Sequence, residues 1–123
     1  MANVLVVDDD QDMRDLIELV LRRSELDVVA VGSPLAALDL VGTTHFDLAV
    51  LDWSMPQMDG GELCARLREV PELRDLPILI LTAYADAATR ERAFEAGATD
   101  FMSKPFTLKD LRGIVATLLG PTS

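Results

Sequence analysis

The sequence predicts an α/β protein, a doubly wound, five-stranded parallel sheet flanked by five helices. Three observations carry this expectation. Five short apolar runs recur without clean alternation, helical stripes lie between them, and capping residues or glycines punctuate the helices. A strand covered on both faces reads as a continuous apolar run. Strands alternating with helices imply a parallel sheet with helices on both faces.

The elements follow in order. The first run is NVLVV, residues 3–7. After it Met13, Ile17, Val20 and Leu21 recur at helical spacing. Asp10 and Asp12 fall in the first turn of that helix, where acids are favoured by the dipole. The second run is DVVAV, 27–31. Ser33-Pro34 then starts a helix, with a cap and a first-turn proline, and Gly42 ends it. The third run is DLAVL, 47–51. DGGE, 59–62, places an acid three residues after a cap, and Leu63, Leu67 and Val70 form the stripe. The fourth run is PILILT, 77–82; TRERAFE after it reads as a solvated helix face, stopped at Gly97. The fifth run is DFMS, 100–103. TLKD, 107–110, opens the last helix, whose stripe is Leu108, Leu111, Val115 and Leu118.

Bulk properties bound the function. The 123 residues suit one domain, 1–123, with 120–123 as a frayed tail or the start of a linker. A net charge of -10 argues against direct binding to nucleic acid or anionic lipid and is compatible with a divalent cation or a basic partner. No apolar run approaches the roughly 20 residues of a membrane helix. The N-terminus lacks the features of a signal peptide. The single cysteine, Cys64, cannot form an internal disulfide, which fits a reducing cytoplasm.

The polar residues are placed more informatively. Asp8 and Asp9 follow the first run, Asp52 the third and Lys104 the fifth, while Thr82 closes the fourth. In a parallel sheet all of these lie at one edge, where doubly wound folds bind ligands. Converging carboxylates repel unless a cation joins them. Mg²⁺ suits a few carboxylates and retained waters. A hydroxyl and an ammonium opposite could bind a phosphoryl group carried on a carboxylate nucleophile as an acyl phosphate.

VLVVDDD, DLAVLDWSMPQMDG, ILILTA and GATDFMSKPF, taken together and in order, resemble the receiver domain of two-component response regulators over essentially the whole chain. The resemblance implies strand order 2-1-3-4-5 in a flavodoxin-like fold. It implies Asp52 as phosphoacceptor, with Thr82 and Lys104 binding the phosphoryl group. Mg²⁺ would take Asp9, Asp52, the backbone carbonyl of Ser54, and Asp8 directly or through water. Thr82 and Phe101 would form a switch that reshapes the face made by helix four, strand five and helix five. Lys104–Pro105 would be a cis bond. The implied donor is a histidine kinase or histidine phosphotransfer protein, and the target is an output protein or attached output domain, in the cytoplasm. The implied role is a switch that assists its own phosphorylation and dephosphorylation, not an enzyme. The resemblance also implies that the positions of Ser54, where many receivers have Asn, and of Tyr84 tune phosphoryl lifetime. Ile114 stands where the branch that dimerises on phosphorylation usually has Arg, which weakens that dimer here.

Other residues have plainer readings. His45 precedes strand three, so it lies at the far edge as an exposed loop residue, not a phosphodonor. Cys64 reads as a small buried side chain, and Trp53 as a partly exposed loop aromatic beside the site. Met55, Pro56 and Met58 shape the loop after Asp52. A pseudo-receiver adaptor is the alternative function. An aspartyl-phosphate phosphohydrolase would want Asp-x-Asp after strand one, and a flavin module a Ser/Thr/Gly-rich loop there; DDD is followed instead by Gln11.

Overall fold

A computed structural model describes residues 1–84 and 86–120. The expectation for the tail beyond Gly120 lies outside the described residues. The strands are β1 (Asn3–Val7), β2 (Asp27–Val31), β3 (Leu48–Asp52), β4 (Ile78–Thr82) and β5 (Asp100–Ser103). The helices are α1 (Gln11–Arg23), α2 (Pro34–Val41), α3 (Gly60–Arg68), α4 (Ala87–Glu95) and α5 (Leu108–Leu119), with a single 3-10 turn at Pro71–Leu73. All strand pairs are parallel and the order is β2-β1-β3-β4-β5, as expected.

The apolar runs lack alternation because both faces are covered. Leu5 and Val7 join Ala49, Leu51, Ile78 and Ile80 in one core, shared with Leu63, Leu67 and Ala93 of α3 and α4. Val4, Val6, Leu48, Val50, Leu79 and Leu81 point the other way, into a second core with Ile17 and Leu21 of α1 and Leu111 and Val115 of α5. Successive strand residues thus alternate between two apolar layers rather than between core and water.

Each helix starts at a side-chain cap. Asp10, Ser33, Asp59, Asp86 and Thr107 accept from backbone N–H groups one turn on, which satisfies otherwise orphan donors. Asp10 is the N-cap of α1 itself rather than a first-turn residue; Asp12 is in the first turn. Gly97, at φ 109°, takes the left-handed position after α4. Two expected stripes shorten. Val70 falls beyond α3, and Leu108 at the start of α5 is exposed. No helix among the described residues is long and apolar enough to cross a membrane.

Candidate functional site

Parallel pairing brings the carboxyl ends of β1, β3, β4 and β5 together. Val7 is level with Leu51, Asp52 with Leu81, and Thr82 with Ser103. Asp8 and Asp9 therefore emerge beside Asp52, and Lys104 emerges beside Thr82. Carboxylate oxygens of Asp8, Asp9 and Asp52 all lie within 4.8 Å of one another. Asp8 and Asp52 are buried, while Asp9 is exposed.

Lys104 reaches into this group. Its Nζ donates to Asp52 Oδ1 at 2.9 Å and to Asp8 Oδ2 at 3.4 Å. The Lys104 N–H donates to the Thr82 carbonyl, which fixes the root of the side chain, and the Lys104–Pro105 bond is cis. Thr82 is buried, and its Oγ1 accepts from the Tyr84 N–H at 2.9 Å. The Tyr84 side chain is exposed. Phe101 is half-buried against the core that contains Ile80, its neighbour in register. Ser54 is exposed in the loop after β3.

Electrostatics follow from burial and charge count. Burial pushes the Asp52 carboxyl above its ordinary value; the Lys104 hydrogen bond opposes this, and the charges of Asp8 and Asp9 add to it. Burial alone would lower the Lys104 ammonium, but the hydrogen bond and charge of Asp52, then of Asp8, outweigh it and hold the ammonium above its ordinary value. One ammonium thus pairs with two of the three clustered carboxylates, Asp8 and Asp52. A hard divalent cation with oxygen ligands fits that donor set and would relieve the remaining repulsion.

The loop and the nearby helix hold residues whose importance the sequence did not reveal. Arg14 Nη1 donates to the Asp8 carbonyl at 2.8 Å and passes close to Gly32, where a Cβ would meet it at 2.7 Å. Trp53 is buried rather than partly exposed, and belongs to the core. A Cβ at Gly61 would come within 2.9 Å of its ring, so only a glycine leaves the slot open. TRERAFE is not wholly a solvated face, since Thr89 and Ala93 are buried and Arg92 lies over the Trp53 ring at 5.2 Å. Met55 and Met58 are buried in the loop. Trp53 and the later pair Gly60-Gly61 were visible in the sequence, with Arg92 one helix away, but pairing them requires the fold.

Two other residues lie as expected. His45 is exposed in the loop before β3, paired with Asp47 at 3.2 Å, at the edge opposite Asp52. Cys64 is fully buried, and burial pushes its thiol up to about 11.

Comparison with known proteins identifies the family and the fold. A family model described as the response regulator receiver domain matches residues 4–116. The cyclic di-GMP phosphodiesterase response regulator RpfG of Xanthomonas campestris pv. campestris is 40% identical over 119 residues, 95% of this chain and 32% of that protein. Response regulator MprA of Mycobacterium sp. (strain KMS) is 39% identical over 122 residues, 99% of this chain and 52% of that protein. The chain thus spans a third to a half of the length of these relatives. The receiver domain of sensor histidine kinase PA1611 from Pseudomonas aeruginosa PAO1, solved with a magnesium ion coordinated in its active-site cleft, superposes with a TM-score of 0.89 at 28% identity, over 98% of both chains.

Proposed function

This chain belongs to the response regulator receiver domain family of two-component systems, and from that premise we propose that it is a phosphoryl-accepting switch with Asp52 as acceptor. The observation that carries the reading is the Lys104–Asp52 contact of 2.9 Å inside a cluster of three carboxylates.

The chemistry assigned to each residue follows from position. A carboxylate oxygen of Asp52 attacks the phosphorus of a phosphohistidine on a histidine kinase or phosphotransfer protein. The new P–O bond forms as the P–N bond breaks, and the leaving imidazole keeps the electron pair. Lys104 offers its ammonium to a phosphoryl oxygen, and Thr82 offers its hydroxyl hydrogen to another. Mg²⁺ would be held by Asp9, Asp52, the Ser54 carbonyl, and Asp8 directly or through water; bound there, it neutralises charge on the transferring group. Thr82 and Phe101, in neighbouring strands, relay the new charge to the face of α4, β5 and α5. That face then engages an output protein or attached output domain in the cytoplasm. The phosphodiesterase named in RpfG is not carried over, since the match covers 32% of that protein.

Incubation with acetyl phosphate and Mg²⁺ tests this. Intact mass should show one added phosphoryl group on the wild type and none on Asp52→Asn. Equal uptake by the variant would sink the assignment.

A further inference from the structure

We propose that Arg92 is a positioning residue for the acid site: through Trp53 and Asp59 it fastens α4 to the loop that follows Asp52 and holds the chain in its unphosphorylated arrangement. The proposal rests on the receiver reading and adds a device to it.

Trp53 is the residue after Asp52 and is pinned at both ends of its backbone. Its N–H donates to the Leu81 carbonyl at 2.8 Å, and its carbonyl accepts from the Gly60 N–H at 2.9 Å. Gly60 has no room for a Cβ, which would lie 2.4 Å from the Asp52 carbonyl oxygen. The Trp53 ring lies against Gly61, and the Arg92 guanidinium of α4 lies over the ring at 5.2 Å. Arg92 also pairs at 3.8 Å with Asp59 Oδ2, while Asp59 Oδ1 caps α3 by accepting from the Glu62 N–H.

Both partners of the ion pair are well exposed, so the pair by itself contributes little. The stacked guanidinium is the stronger contact, because the ring beneath it is buried and fixed. Arg92 therefore links three pieces of chain: the acceptor loop, the start of α3 and α4. The arrangement it secures is the one in which Lys104 donates to Asp52. In this proposal the hold loosens when a phosphoryl group takes the Asp52 oxygen, so that the contact opposes the change between the two states.

The test is the affinity for beryllofluoride, a phosphoryl analogue, at saturating Mg²⁺, followed by amide chemical shifts. Arg92→Ala should bind about two- to fivefold more tightly than wild type, the range expected for one exposed cation–π contact. Arg66→Ala removes the same charge from an exposed site on α3 and should leave affinity unchanged. General damage to the fold would weaken binding, so a gain separates release of the clamp from a structural lesion. Unchanged or weaker binding by Arg92→Ala, or an equal gain in Arg66→Ala, overturns the clamp while leaving the receiver reading intact. Absence of binding by the wild type overturns the receiver reading and the clamp together.

Discussion

Lys104 Nζ lies 2.9 Å from Asp52 Oδ1, joining the end of β5 to the end of β3 across 52 residues of chain. The same ammonium stands 3.4 Å from Asp8 Oδ2. One cation therefore serves two buried carboxylates from different strands.

Lys104→Ala should damage both stability and phosphoryl uptake. It leaves two buried acids facing each other, and removing one member of a buried, hydrogen-bonded pair costs on the order of 2 kcal/mol. Loss of one preorganised charge at the transferring group should slow uptake from acetyl phosphate on the order of 10²-fold. Urea denaturation in chelator and single-turnover phosphorylation read the two effects separately. Unchanged urea stability would show that the ammonium contributes no net folding energy.

Asp52→Asn should stabilise the metal-free fold near neutral pH. The native environment raises the Asp52 pKa, chiefly by burial, so the folded state prefers the protonated acid. With the folded pKa above the unfolded one, the stabilising contribution is fully present below about 3.8, the ordinary value, and is lost as pH rises through the folded pKa. In chelator, the stability difference between variant and wild type should therefore grow from pH 4 towards neutrality. A difference independent of pH across that range would contradict the assigned shift.

The acids at the start of α1 should separate by function. Mg²⁺ should raise the melting temperature of the wild type, as any ligand of the native state does. Asp9→Ala should lose most of that increment, and Asp12→Ala should keep it. Asp10→Ala should also keep it while lowering stability by about 1 kcal/mol, because Asp10 Oδ1 caps α1 at the Asp12 and Met13 N–H groups. Comparable losses of the Mg²⁺ increment in all three would mean the acids act as one diffuse patch.

Arg68→Ala should destabilise without touching phosphoryl chemistry. Its guanidinium donates to the carbonyls of Gly97 at 2.8 Å and Leu73 at 2.9 Å, tying the end of α4 to the turn before β4. It also supplies positive charge where the dipole of α4 is negative. Stranding these carbonyls should cost about 1–3 kcal/mol by thermal or urea unfolding. A large loss of acetyl phosphate reactivity at full stability would assign Arg68 a different role.

The sequence by itself determined the elements, their parallel arrangement and the list of candidate site residues. Caps, proline positions and apolar spacing act within a few residues, so Ser33, Asp59 and Thr107 could be placed as helix starts from neighbours alone. The edge holding Asp8, Asp52, Thr82 and Lys104 followed from parallel strands ending together. Where the reading failed, the deciding partner was distant. Trp53 looked exposed because its neighbours are polar; it is buried because Gly61 opens a slot and Arg92 covers it from another helix. Leu108 fitted a stripe, yet no partner covers it enough to bury it. Tertiary structure alone decided that Lys104 engages Asp52 and Asp8 together, that Arg14 holds the Asp8 carbonyl and that Arg68 staples the end of α4. Long side chains reach several ångströms from their own backbone, and which distant group they meet is set by packing rather than by spacing along the chain.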